Sequence, residues 1–128
     1  MGRLFLVEYD QTPDTQFYSC RACRTPIALA DQLLYQDESE RRPVRVFNNV
    51  VNVIIDDPAR YEEVACGGIV AGVYCTKCNI PLGRKIVKLP KYTTKVAEGN
   101  VTMNMTKLLL WDGHQFLNAH TLQLAENI

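Results

Sequence analysis

The chain has no long uninterrupted run of apolar residues. Near its start, Leu4 to Val7 is a stretch of only four apolar residues before Glu8. A signal-peptide core takes about 7–15 apolar residues, and a membrane-spanning helix takes about 20. We therefore expect an intracellular protein, in the nucleus, the cytoplasm or both, that has no membrane partner.

An excess of positive charge is also absent. Fourteen basic residues balance fourteen acidic ones, so the formal net charge is zero. Proteins that bind nucleic acids through phosphate groups usually have a basic face, whereas the basic clusters here are doublets such as Arg41-Arg42 and Arg84-Lys85. The sequence therefore contains no strong nucleic-acid-binding signal.

Common catalytic motifs are missing as well. The chain contains no glycine-rich phosphate loop, no Gly-x-Ser-x-Gly and no His-Glu-x-x-His. Its two histidines, His114 and His120, have a spacing that matches no metal-ligand motif. We predict that the chain is not an enzyme.

Cysteine is scarce but strongly patterned. Four of the five cysteines form two Cys-x-x-Cys pairs, Cys20/Cys23 and Cys75/Cys78, with 51 residues between the pairs. Each pair places two sulfurs on one tight turn, and four thiolates at about 2.3 Å complete the tetrahedral shell of Zn²⁺. These four residues are the predicted ligands of one structural zinc ion, with disulfides or an iron–sulfur cluster as the alternatives.

Residue patterns along the chain are typical of strands. Val44 to Ile55 is rich in β-branched residues and predicts two short strands, or one strand that bends at Asn48-Asn49. Further strands are predicted at Leu4–Tyr9, Leu33–Tyr35, Ile69–Tyr74, Arg84–Leu89 and Val101–Leu110. The predicted fold class is mainly β with little helix.

Several segments of the sequence resemble Yippee-like proteins. They are residues 18–25 and 73–78 around the cysteine pairs, residues 46–53 with Phe-Asn-Asn-Val-Val-Asn-Val, and Leu82-Gly83. The opening Met1-Gly2-Arg3-Leu4-Phe5 is similar to plant members in particular. The resemblance implies a β-tent of two antiparallel sheets that meet near one zinc ion held by Cys20, Cys23, Cys75 and Cys78. It also implies an N-terminal strand and loop (1–16), a Yippee-type zinc-binding domain (17–113) and a C-terminal tail (114–128).

One departure from the family pattern concerns a ligand cleft. In cereblon-like domains, which are similar in fold, a tryptophan at the position of Arg84 forms one wall of an aromatic cage. The polar Thr, His and Asp that the family has before the second cysteine pair are also missing from residues 64–72. The cleft candidates are Phe47, Asn49 and Arg84, and we expect no intact aromatic cage among them.

The resemblance implies a zinc-stabilised scaffold that binds a protein partner or a small ligand. The alternative is an enzyme of the methionine sulfoxide reductase type, which is similar in fold. That chemistry needs a nucleophilic cysteine after the second pair, but no cysteine follows Cys78 and Cys66 is the only spare thiol. The interaction scaffold is therefore the favoured hypothesis.

Overall fold

The computed structural model describes residues 6–35, 43–91 and 96–125. Within these residues the chain forms strands and short 3₁₀ turns but no α-helix, which confirms the mainly β fold class. The strands are β1 (Phe17–Cys20), β2 (Pro26–Leu29), β3 (Leu33–Tyr35), β4 (Val44–Phe47), β5 (Val53–Ile55), β6 (Glu62–Glu63), β7 (Ile69–Cys75), β8 (Pro81–Lys88), β9 (Val101–Asn104), β10 (Leu108–Trp111) and β11 (Phe116–Asn118). The 3₁₀ turns span Ala30–Gln32, Pro58–Arg60, Ala65–Gly67 and Met105–Lys107. None of the helical turns in the described part of the chain has the length and hydrophobicity of a membrane-spanning segment.

The strands form two antiparallel sheets, as predicted. The smaller sheet has the order β11-β10-β1-β2, and the larger has the order β3-β4-β9-β8-β7-β5, with β6 also paired to β7. Each cysteine pair lies at the turn of one hairpin, the first between β1 and β2 and the second between β7 and β8. The metal-ligand candidates therefore come from both sheets.

Alternating burial explains why the apolar segments form strands. Along β7, Ala71, Val73 and Cys75 are buried while the residues between them are partly exposed, as expected for a two-residue repeat. The predicted break after β4 is also observed. Asn52, the residue before β5, has a φ of 58°, a left-handed backbone conformation that interrupts the extended structure.

The segment Val101–Leu110 differs from the single strand that its pattern predicts. It forms β9 in the larger sheet and β10 in the smaller sheet, separated by the turn Met105–Lys107. The side chain of Asn104 accepts a hydrogen bond from the Thr106 N–H at 3.0 Å and so stabilises this turn. Apolar residues lie on both sides of the turn because both strands contribute to the core: Val101 and Met103 of β9 and Leu108 and Leu109 of β10 are buried.

The two ends of the described chain lie outside the predicted zinc-binding domain, and the domain bounds themselves stay a prediction. Strand β11 lies within the predicted C-terminal tail and extends the smaller sheet by pairing with β10. Residues 6–16 contain no assigned strand, and residues 4–5 of the predicted first strand lie outside the described residues. The 6–16 segment is held by contacts such as the hydrogen bond from the Trp111 indole N–H to the Thr12 carbonyl, at 3.1 Å.

The hydrophobic core joins the two sheets. Phe47 of the larger sheet is fully buried, and its ring meets the ring of Tyr18 from the smaller sheet edge-on, with centroids 5.3 Å apart. Cys20 and Cys75 are also fully buried and belong to the same apolar cluster. The cysteine site is therefore continuous with the core.

Candidate metal centre

The four predicted ligands come together at one point. Their sulfurs all lie within 4.8 Å of one another. Cys20 Sγ is 3.6 Å from Cys78 Sγ, and Cys23 Sγ is 3.5 Å from Cys75 Sγ. A tetrahedral ion with Zn–S bonds of about 2.3 Å places its sulfurs about 3.8 Å apart. The arrangement fits zinc, and each short contact links one hairpin to the other.

The first cysteine turn is organised by main-chain hydrogen bonds. The Cys20 N–H donates to the Thr25 carbonyl at 2.8 Å, and the Arg24 N–H donates to the Cys20 carbonyl at 2.7 Å. Arg24 has a φ of 63°, which reverses the chain. Burial raises the pKa of the Cys20 thiol, and the N–H groups of Cys23 and Ala22 act in the opposite direction. Such donors stabilise a thiolate and so favour metal binding.

The second cysteine turn repeats this geometry. The Cys75 N–H donates to the Ile80 carbonyl at 3.0 Å, and the Asn79 N–H donates to the Cys75 carbonyl at 2.8 Å. Asn79 has a φ of 64°. As in the first turn, burial raises the pKa of the Cys75 thiol, and the N–H groups of Cys78 and Lys77 act in the opposite direction. The two halves of the site are therefore built alike.

A longer sequence repeat accompanies the shared geometry. Both turns read Cys-x-x-Cys-x-x-Pro, and the prolines, Pro26 and Pro81, open β2 and β8. Proline has no N–H and is tolerated at the first residue of a strand. The sequence prediction used only the Cys-x-x-Cys spacing and overlooked the prolines. The longer shared pattern indicates that both pairs lie on equivalent hairpin turns.

Asn52 is a further residue of the site that the sequence did not single out. Its side-chain NH₂ donates to the carbonyls of Val7 at 2.8 Å and Pro26 at 2.7 Å, and its Oδ1 accepts from the Val7 N–H at 2.8 Å. Its own carbonyl accepts from the Thr76 N–H, beside Cys75, at 3.0 Å. One residue thus connects the N-terminal segment, the first hairpin and the second cysteine turn. An asparagine within a β-branched run was the available signal, because asparagine tolerates positive φ.

The metal-free thiols differ in acidity. Burial raises the pKa of both Cys20 and Cys75. For Cys23, burial opposes ionisation, but hydrogen bonds from the Thr25 hydroxyl, at 3.0 Å, and from the Thr25 N–H outweigh it and lower the pKa to about 7. At neutral pH, therefore, Cys23 is about half ionised, whereas Cys20 and Cys75 hold their protons.

Zinc binding at pH 7 is expected to release between about three and four protons per ion, because four thiolates are needed and most of the thiols start protonated. Protons compete with the metal, so zinc affinity falls as the pH is lowered, by roughly a thousandfold or more per unit. Calorimetry in buffers of different ionisation enthalpy measures this release. Thr25→Val removes the hydroxyl donor to Cys23 and should move the release closer to four; a release near zero would contradict the assignment.

The cleft candidates lie in different environments. Phe47 is fully buried in the core, Asn49 is exposed between β4 and β5, and Arg84 is exposed on β8. Arg84 lines a groove of about 580 Å³ to which Phe47 and Asn49 do not contribute. A ligand cleft made by all three residues stays a prediction. The spare thiol, Cys66, is exposed on the turn Ala65–Gly67 and is not part of the sulfur cluster.

Two antiparallel sheets joined by four converging cysteines define a mainly β domain of the zinc-binding class. Residues 16–115 match a family model described as "Yippee zinc-binding/DNA-binding/Mis18, centromere assembly". The chain therefore belongs to the Yippee/Mis18 family. Zinc is the metal of this family, and the four cysteines form one potential site for it.

Individual relatives agree with this assignment. A yippee-like protein of Solanum tuberosum is 25% identical over 98% of this chain and 95% of its own length. Yippee-like 3 of Oryzias latipes is 30% identical over 75% of this chain and 82% of its own length. The crystal structure of a Mis18 "Yippee-like" domain superimposes with a TM-score of 0.63 at 17% identity, covering 76% of this chain and 95% of that domain. This last similarity supports the fold alone.

Proposed function

We propose that this chain is a non-enzymatic binding module of the cell interior. In it, one structural zinc ion held by Cys20, Cys23, Cys75 and Cys78 fixes the two sheets. The observation that carries the proposal is the complete set of four converging sulfurs. Four thiolates leave no open position on zinc for water or substrate, so such a site supports the fold and does not perform chemistry.

The binding surface we propose is the β8–β9 groove, the cavity of about 580 Å³ that contains Arg84. Register pairs Arg84 with Thr102 and Val44 with Asn104, which places these side chains on one face of the larger sheet. Ligand pockets usually have volumes of about 300–1,000 Å³. Because β8 starts directly after the second cysteine turn, the metal that fixes this turn also holds one wall of the groove.

Neither nucleic-acid binding nor catalysis is favoured for this chain. DNA binding appears in the description of the family, but the net charge here is zero, whereas phosphate-backbone binding draws on an excess of Lys and Arg. A sulfoxide reductase would have to use Cys66, which lies outside the cysteine cluster. A small molecule or a protein segment is the partner that an open groove of this size accommodates.

A fragment titration followed by amide NMR tests the proposal on the zinc-loaded protein. We expect shifts to concentrate on groove residues such as Gly83 and Thr102. Val44→Trp fills the groove and should abolish them. Ile54→Trp is the matched control, because Ile54 is an exposed apolar strand residue (47%) outside the groove.

Two outcomes would contradict the proposed function. The first is a shift pattern that avoids the groove or persists in Val44→Trp. The second is reduction of methionine sulfoxide with a dithiol that disappears in Cys66→Ser, because this result would assign the enzymatic alternative.

A further inference from the structure

We infer that the β8–β9 groove binds ligands that combine an apolar body with a carboxylate group. This inference rests on the proposed binding function of the groove and names the chemical class of its ligand. It follows from three properties of the groove: an apolar floor, two cationic side chains and the absence of acidic residues from its described lining.

The floor of the groove is apolar. It contains Leu82 and Ile86 of β8, which are 1% and 8% exposed, together with the partly exposed Val44 and Val70. A hydrocarbon or aryl group placed here would remove its own surface and that of the two valines from water, which is the main source of affinity for an apolar ligand.

The polar groups of the groove are mostly hydrogen-bond donors. Two cationic residues line it: Arg84 comes from β8, and Lys107 comes from the turn Met105–Lys107 that leads to β10. Asn104 Oδ1 already accepts bonds from the Thr106 N–H at 3.0 Å and the Thr106 hydroxyl at 2.7 Å, which leaves the Asn104 NH₂ as the donor group of that side chain. A carboxylate satisfies such a set, because a cation and an amide can donate to its two oxygens.

One acidic residue competes for Arg84 from outside the groove. Arg84 Nη2 lies 3.7 Å from Glu62 Oε2, and both side chains are more than half exposed. Glu62 and Asp56 line an adjoining recess that shares Val70, Pro81, Gly83 and Arg84 with the groove. A single long contact between exposed side chains is weak, so a ligand carboxylate next to an apolar floor can displace it.

The same chemistry is present in two kinds of ligand. One is a free fatty or aryl carboxylic acid, and the other is the C-terminal end of a peptide with an apolar last residue. Both place one carboxylate on a hydrocarbon body, and comparison of free and amidated peptide ends distinguishes them.

Calorimetric titration of the zinc-loaded full chain with octanoate, octan-1-ol and octylammonium tests the inference, since these probes share a tail and differ in head group. We expect octanoate to bind about tenfold more tightly than octanol, and octylammonium more weakly than both. Arg84→Gln and Lys107→Gln should each weaken octanoate about tenfold and leave octanol unchanged. Arg84→Lys should restore part of the loss.

Two further variants separate the groove from general charge effects. Glu62→Gln removes the competing carboxylate and should tighten octanoate binding, a gain that a purely structural role would not produce. Lys88→Gln, an exposed cation on β8 that does not line the groove, should leave binding unchanged.

The peptide arm uses an acetylated pentapeptide that ends in Val-Leu, with a free or amidated C-terminus. Tighter binding of the free form than of octanoate assigns the peptide source, and the reverse order assigns the free acid.

Equal binding of octanoate and octanol overturns the ligand class but leaves the groove as a binding site. Failure of every probe to bind also overturns the proposed ligand class. The fragment titration then decides separately whether the groove binds any ligand.

Discussion

Cys75→Ser is expected to leave the chain largely unfolded at 25 °C and without stoichiometric zinc. Metal binding at a structural site contributes on the order of 10 kcal/mol to folding, which matches the whole stability of a typical domain, about 5–15 kcal/mol. Cys75 is buried and its sulfur lies 3.5 Å from that of Cys23 in the other sheet. Loss of this thiolate opens the link between the two hairpins. Far-UV circular dichroism and elemental analysis of the purified protein measure the two effects.

Cys66→Ser is the matched control for this substitution. Cys66 is exposed and lies outside the sulfur cluster, so this variant should keep one zinc ion per chain and the melting temperature of the wild type. Removal of zinc from the wild type by a chelator should reproduce the Cys75→Ser result. Near-native thermal stability of Cys75→Ser in the presence of a chelator would show that the metal does not hold the fold.

Asn52→Ala is expected to lower the free energy of unfolding by about 3–5 kcal/mol. The side chain of Asn52 makes three hydrogen bonds, to Val7 and Pro26, and each contributes about 0.5–1.5 kcal/mol. Alanine at a φ of 58° adds roughly another 1–2 kcal/mol of backbone strain. Urea unfolding of the zinc-saturated protein measures the change.

Asn49→Ala and Asn52→Asp complete this test. Asn49 lies in the same connection but is exposed, so its replacement should change the stability by less than about 0.5 kcal/mol. Asn52→Asp keeps the shape of the side chain but directs a carboxylate at the carbonyls of Val7 and Pro26, and it should be nearly as destabilising as alanine. Equal stability of the Asn49 and Asn52 alanine variants would show that Asn52 does not hold these segments together.

Local patterns in the sequence predicted the metal site and the fold class. Cys-x-x-Cys places two sulfurs on one turn whatever the rest of the chain does, so the spacing predicts a pair of metal ligands without knowledge of distant contacts. The same is true of the β-branched run that becomes β4 and β5, because strand preference arises from neighbouring side chains. These features were sufficient for the zinc prediction, and together with the resemblance they anticipated two antiparallel sheets.

The features that the sequence did not predict depend on distant contacts. Residues 101–110 were predicted as one strand, yet the turn that the Asn104 side chain stabilises separates β9 from β10, and the two strands belong to different sheets. Strand β11 has only three residues and exists through pairing with β10. In the sequence, Asn52 belongs to a run that predicts strand. Its role depends on Val7 and Pro26, which are far away along the chain but accept hydrogen bonds from its side chain.

The sequence by itself determined the chemistry of the ligands: four thiolates in two pairs, which suit one tetrahedral ion. Only the tertiary structure decided that Cys20 meets Cys78 and Cys23 meets Cys75, and that Arg84 and Lys107 border one apolar groove. The physical reason is that side-chain chemistry and turn geometry are local properties. Strand register and sheet order, in contrast, arise from contacts between segments that lie far apart along the chain.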